Sequence, residues 1–182
     1  MVQVIGMGLP KTGTTSLSYE LRGIGLHVAH NLGDRLSDKC DAICNTLEDK
    51  YVELYQKHPN ATWIITHSKN VSAWIESVEE HRKHFFPNSS YYEPRYYGGV
   101  GVRLATGFVQ ELEYRYRKYY DGLFKFLNSQ NITYGYIDYR RGIRRGLDSI
   151  NKNLTRPLHM NDKNHRQNGV HDYRWCRTVG GD

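Results

Sequence analysis

Between Val4 and Leu17 an apolar run passes through a glycine-bearing turn directly into an amphipathic segment: Val-Ile-Gly-Met-Gly-Leu-Pro-Lys-Thr-Gly-Thr-Thr-Ser-Leu. Val2 to Met7 has the length and composition of a buried strand. From about Thr14 the residues Leu17, Leu21 and Ile24 recur at i, i+4 and i+7, the period of a helix. Gly23 and Gly25 are placed to end that helix. A strand that hands its chain to a helix after a short turn feeds a parallel sheet covered by helices. The start of such a helix also offers unpaired N–H groups and the positive end of a dipole, which together hold phosphate.

Gly8 to Thr15 reads G-x-x-x-x-G-T-T, where a nucleoside triphosphatase P-loop reads G-x-x-x-x-G-K-[ST]. Thr14 stands at the lysine position, and the lysine of this segment, Lys11, lies inside the loop. In the usual arrangement the lysine reaches the β- and γ-phosphates and the next hydroxyl binds Mg²⁺. A lysine ahead of the second glycine instead meets the far side of a 5′-phosphate, where a bridging oxygen leaves.

The remaining chain continues the alternation. His27 to His30 reads as a short strand, Leu47 to Lys57 as a helix stopped by His58-Pro59, and Thr62 to Thr66 as another strand. Asn70 is placed to cap a helix with Val71, Trp74, Ile75 and Val78 on one face, ending before Pro87. Residues 88–103 read as a long loop. A long helix follows with Val109, Leu112, Tyr116, Tyr119, Leu123 and Leu127 as its core stripe, then a strand from Ile132 to Asp138 and a helix from Gly142 to Leu154. The expectation is α/β: a three-layer P-loop NTPase-like fold with a short, mainly parallel sheet flanked by helices. One domain spans residues 1–164, and residues 165–182 form a basic tail that orders only when something binds it.

Charge is segregated along the chain. Residues 1–138 carry 15 Lys or Arg and 15 Asp or Glu, while residues 139–182 carry 10 and 4, so the formal +6 lies entirely in the second segment. That implies an anionic partner: nucleic acid, a membrane surface or a phosphorylated small molecule. No apolar run approaches the roughly 18 residues of a membrane span, and Met1 leads straight into Val2-Gln-Val-Ile. The expectation is a cytoplasmic protein whose Cys40, Cys44 and Cys176 are free thiols and whose five Asn-x-Ser/Thr sequons are chance. Fifteen tyrosines against five phenylalanines make the core lean on tyrosine.

At Pro10-Lys-Thr-Gly-Thr-Thr15 the sequence resembles the sulfotransferases. That resemblance implies that the loop, Pro10, Lys11, Thr12, Gly13, Thr14 and Thr15, binds the 5′-phosphate of 3′-phosphoadenosine 5′-phosphosulfate (PAPS), with Lys11 stabilising the leaving bridging oxygen. The family's 3′-phosphate element follows a later strand and starts with an arginine, with a serine eight residues on. Here Lys69-Asn70-Val71 stands at that triplet and Ser77 at the serine. Lysine for arginine replaces a bidentate fork by a point charge, and Val71 replaces the usual proline. Asp41-Ala42, His58-Pro59 and Trp74-x-Glu76-Ser77 are similar to a bacterial-type subgroup of the family, and the likeness runs loosely through Ile137 to Gly142 as far as Asn161-Asp162. It implies a cosubstrate, PAPS, that becomes 3′,5′-adenosine bisphosphate (PAP), no metal, and a hydroxyl or amine acceptor on a small molecule or glycan. Arg140 and Arg141 would close over the nucleotide.

Transfer to a hydroxyl also requires a group that takes the acceptor proton. Families with this loop place a His or Glu after the first helix, where His30 falls fifteen residues beyond Thr15. Asp41 is the second candidate, as base or orienter. His81 and His84 share a helix face without a third metal ligand in order. The aromatic stretch from Phe85 through Tyr97 is a candidate lid on the acceptor side. Three other functions stay open: a P-loop small-molecule kinase, a nucleic-acid-binding module built on Arg140-Arg-Gly-Ile-Arg-Arg145, and a sulfotransferase-like nucleotide-binding protein without turnover.

Overall fold

Residues Val4, Ile5 and Met7 are fully buried although Val4 and Ile5 point to opposite sides of their strand, as a parallel strand covered on both faces requires. The computed structural model describes residues 2–30, 40–45, 50–85, 91–92, 102–103 and 108–153. Its elements run β1 (Val4–Met7), α1 (Thr14–Gly23), β2 (Val28–His30), β3 (Ala42–Asn45), α2 (Tyr51–Lys57), β4 (Thr62–His67) and α3 (Val71–Phe85). There follow β5 (Tyr91–Tyr92), β6 (Val102–Arg103), α4 (Phe108–Ser129), β7 (Tyr134–Asp138), a 3₁₀ turn (Tyr139–Arg141) and α5 (Ile143–Asn153). The chain is α/β, with a five-stranded sheet ordered β2-β3-β1-β4-β7 and every pairing parallel.

Alternate residues of each strand supply two cores. Ile5, Met7, Ile43, Trp63 and Ile65 pack with Leu54 of α2, Trp74, Ile75 and Val78 of α3, and Leu112, Leu123 and Leu127 of α4. Val4, Ala42, Cys44, Ile64 and Ile137 pack on the other face with Leu17 and Leu21 of α1 and Ile143 and Leu147 of α5. The helix after β1 therefore covers one face and the helix after β4 the other. In open α/β sheets, the carboxyl ends of two such neighbouring strands bound the ligand crevice.

Helix ends follow the expected chemistry. Past α1, Gly25 has φ 94, its N–H donates to Arg22 O at 2.9 Å and that of Leu26 to Leu21 O at 3.2 Å, the paired bonds of a Schellman ending. Asn70 caps α3, its Oδ1 accepting from the Ala73 N–H at 3.1 Å.

Several expectations change. Strand β3 was hidden in Ala-Ile-Cys-Asn, and α2 runs from Tyr51 with Lys50 at its N-cap, while residues 47–49 of the expected helix lie outside the described residues. Residues 88–103 are not wholly a loop, since Tyr91 pairs antiparallel with Arg103 and Tyr92 with Val102. Val109 is 53% exposed, so the α4 core stripe starts at Leu112. Most of the proposed aromatic lid, Asn161-Asp162, Cys176 and the tail lie outside the described residues. Cys40 and Cys44 are buried and form no disulfide among the described residues, and burial pushes the Cys44 thiol up to about 12, which keeps it protonated and inert. No helix among the described residues is long and apolar enough to cross a membrane.

Candidate functional site

The loop from Gly8 to Gly13 leaves β1 at the crevice and is held from three sides. The Thr12 hydroxyl and N–H both donate to Leu9 O, at 2.6 and 3.2 Å, closing the loop on itself. The Thr12 and Thr66 hydroxyls are 3.2 Å apart, which ties the loop to β4. From α3 the Trp74 indole N–H donates to Pro10 O at 2.8 Å. From α4 the Tyr120 hydroxyl accepts the Leu9 N–H at 3.3 Å and donates to Thr66 O at 2.7 Å. One turn earlier, the Tyr116 hydroxyl accepts from Ser68 N at 2.9 Å and donates to Ser68 O at 2.6 Å.

This pair of buried tyrosines fixes the carboxyl end of β4 and the start of the loop together. Tyr120→Phe leaves Leu9 N–H and Thr66 O without their buried partner, and we expect it to destabilise the fold by about 1–3 kcal/mol. Urea unfolding of the variant, compared with Tyr55→Phe on α2, checks this. Sequence periodicity assigned Tyr116 to the core and passed over Tyr120. The signal available was the i, i+4 spacing of two residues that can pack and donate at once.

Two residues of the loop have left-handed backbones, Lys11 with φ 65 and Gly13 with φ 94. Glycine adopts this conformation freely. For Lys11 it costs about 1–2 kcal/mol, and such strain collects at functional sites. Gly13 caps α1 without a side-chain hydrogen bond, and no acidic residue occupies the first turn, so the positive end of the helix is not neutralised locally. A Cβ on Gly13 would stand 2.8 Å from Tyr139 Cβ and 2.9 Å from Ile143 Cδ1. The 3₁₀ turn after β7 is therefore seated directly on the loop.

The expected site residues divide into those that converge and those that do not. Pro10, Lys11, Gly13 and the start of α1 form the loop, and His30 at the end of β2 reaches it, its Nε2 lying 3.5 Å from Thr15 Oγ1. Lys69 is exposed beside the carboxyl end of β4, and Ser77 is half-buried two turns into α3. Arg140 and Arg141 are exposed on the turn that rests on Gly13, with Arg141 Nε 3.9 Å from Asp138 Oδ2. On α3, burial, then the Lys11 charge, then His84 hold His81 below its ordinary value.

Two assignments need correction. The Thr12 hydroxyl, expected on phosphate, is fully buried and donates to Leu9 O, so Thr12 builds the loop rather than contacting a ligand. Thr14 is 3% exposed, leaving its backbone N–H as its contribution to the helix start. Asp41 stands just before β3, at the amino end of the parallel strands and away from the loop at their carboxyl ends, where its Oδ2 accepts the His27 N–H at 2.9 Å. It cannot serve a reaction at the loop.

Burial, reinforced by the Arg22 charge, lowers the His30 pKa to about 4. The folded protein thus binds that proton more weakly than the unfolded chain, whose value is near 6.5. The contribution is complete above pH 6.5 and is lost as the pH falls to 4. We expect it to reach on the order of 1–2 kcal/mol, less than the full shift implies because the ring is only partly buried. Melting curves between pH 4 and 7 should show a shallower slope for His30→Gln than for the natural protein.

Comparison with models of known protein families finds no match, and no curated protein matches the chain. The functional reading therefore rests on the site alone. Sequence reasoning missed a further group at this edge: His67, which ends β4 and is 3% exposed, and Tyr136, which stacks on it with ring centroids 3.6 Å apart.

Proposed function

We propose that this chain is a PAPS-dependent sulfotransferase with a P-loop NTPase-like fold, moving a sulfuryl group to a hydroxyl or amine of a small molecule or glycan. One observation carries the reading. The loop at the switch point presents a strained lysine, Lys11, ahead of the second glycine, while threonine occupies the first turn of the helix where a triphosphatase has lysine.

The backbone amides at the start of α1 hold the 5′-phosphate, and Thr15 adds its hydroxyl. Lys11 stabilises the charge that develops on the bridging oxygen as it leaves, a form of electrostatic help often worth more than any other single contribution. Lys69 and Ser77 approach the 3′-phosphate from the β4 side and Arg140 and Arg141 from the β7 side. No metal takes part in this scheme. His30, neutral at physiological pH and with its Nε2 3.5 Å from Thr15 Oγ1, takes the proton of the acceptor in this scheme, and its low basicity makes it a weak base.

A P-loop kinase has less support. Thr14 stands where such enzymes place the lysine that reaches the β- and γ-phosphates.

The direct test incubates the protein with ³⁵S-labelled PAPS and a panel of phenols, sugar alcohols and amines. Label should pass to an acceptor with release of the bisphosphate, without added metal. Phosphate transfer from ATP·Mg²⁺ to the same acceptors would overturn the reading. Reversing Arg140 and Arg141 to glutamate should weaken bisphosphate binding about tenfold or more, as measured by calorimetry. If only oligonucleotide binding falls, the basic end serves nucleic acid.

A further inference from the structure

Trp74, Ser77, His81 and His84 recur on α3 at i, i+3, i+7 and i+10, a spacing that sets four side chains along one face of a helix. Exposure grades along that face: Trp74 is buried, Ser77 and His81 are half-buried, and His84 is exposed. The face is docked on the phosphate loop, because the Trp74 indole N–H donates to Pro10 O at 2.8 Å and Pro10 is joined to Lys11. Lys11 is itself fixed in a left-handed backbone. His81, one turn beyond Ser77, therefore stands on the shoulder of α3 that borders the loop.

The charges around the ring come from the loop and from its own helix. Burial lowers the His81 pKa first, then the Lys11 cation, then His84. Helix α4 meets α3 where Tyr116 packs on Trp74 at 4.9 Å, and its Glu111 and Arg115 are joined at 2.6 Å, so their charges offset each other. In the protein alone, Lys11 thus repels a proton on His81. An anion seated on Lys11 reverses the sign of that field, and the repulsion that keeps the ring neutral becomes an attraction for its charged form.

We propose that His81 is an anion-binding partner of Lys11, taking a proton from solvent as the nucleotide seats on the loop and donating a hydrogen bond to the 5′ anion. This rests on the reading of the loop as a site for PAP and PAPS. The contact gives the 5′ group a charged donor from α3 in addition to the amides at the start of α1. Nucleotide binding then takes up a proton, and by linkage the nucleotide and the proton strengthen each other's binding. Affinity rises as the pH falls through the bound-state value of His81 and levels off below its free-state value.

The test uses the full chain. Proton spectra of the histidine rings, with His81 assigned by its absence in His81→Gln, should place its titration below 6.5 in the protein alone and above 6.5 with saturating PAP. Calorimetry then follows PAP binding between about pH 5 and 8, the range in which histidine changes charge. Phosphate monoesters titrate at about pH 6 as well, so His81→Gln supplies the baseline. The natural protein should bind PAP about tenfold more tightly than His81→Gln at the acid end and within about twofold of it at the alkaline end. His81→Lys carries its charge at every pH in this range and should bind about tenfold more tightly than His81→Gln at the alkaline end. A His81 titration that PAP leaves unmoved, or a His81→Gln protein with the natural pH profile, overturns the inference and leaves the nucleotide reading intact. A His81→Lys protein no tighter than His81→Gln at the alkaline end also overturns it. A natural protein that binds no PAP at any pH in the range overturns the underlying reading as well.

Discussion

Replacing Lys11 should separate stability from function in opposite directions. Lys11 holds φ 65, a conformation that glycine adopts without penalty. Lys11→Gly should therefore stabilise the fold by up to about 1 kcal/mol, a rise in Tm of roughly 2–4 °C for a chain of this size. In the proposed reaction the same change removes the cation beside the leaving oxygen and should lower kcat by about 100- to 1000-fold, the range found when one stabilising group of a developing oxyanion is deleted. Lys11→Ala should lose the activity without the gain in stability, because alanine pays the left-handed penalty as lysine does. Parallel melting curves and turnover assays check both. A Lys11→Gly protein that melts lower than the natural one would mean that the lysine side chain supports the fold, and its strain would need another origin.

Gly8→Ala should be the most damaging single change outside the chemistry. A Cβ at this position would lie 2.2 Å from Thr66 Oγ1, 2.6 Å from Thr66 O and 2.7 Å from Thr12 Oγ1. The hydroxyls can rotate, but the Thr66 carbonyl belongs to β4 and its position is fixed by Tyr120. Relief therefore requires separating the loop from β4, which breaks the Thr12 and Tyr120 contacts together. We expect a loss of about 3 kcal/mol or more, measured by urea unfolding, and a protein that no longer retains bisphosphate. Adding Thr66→Ala removes the nearest contact and should recover only part of the loss. Full recovery would show that the hydroxyl, not the carbonyl, sets the spacing.

Much of this arrangement was legible in the residues. The run from Val4 to Leu17 determined the order strand, loop, helix, because apolar period and glycine placement agree there. Asn70 and Gly25 announced their caps through local hydrogen bonds that short sequences encode. Strand β3 was not legible: its four residues are too few to display a period, and its pairing partners, β1 and β2, are distant in sequence. The roles of Thr12 and Asp41 were misread for a related reason. Sequence spacing shows which residues lie near a loop, but the side of the sheet and the partner that consumes a donor are decided by tertiary contacts. His67 and Tyr136 were hidden because their pairing joins β4 to β7, which no local pattern records. The basic excess beyond residue 138 proved informative only in part, since Arg144 is engaged by Glu20 and Asp148 while Arg140 and Arg141 remain exposed on the turn above the loop.

On the proposed function, the loop of Lys11 receives a nucleoside bisphosphate and not a metal-bound triphosphate. A ligand that binds only the folded state raises its stability by mass action, about 2.7 kcal/mol at one hundred times its Kd. Thermal unfolding should therefore be measured with PAP, with ATP·Mg²⁺ and with an oligonucleotide, each up to millimolar concentration. A concentration-dependent rise in Tm is expected with PAP, lost in Lys11→Ala and absent with ATP·Mg²⁺. An equal or larger rise with ATP·Mg²⁺ would mean that the loop takes a metal-bound triphosphate instead.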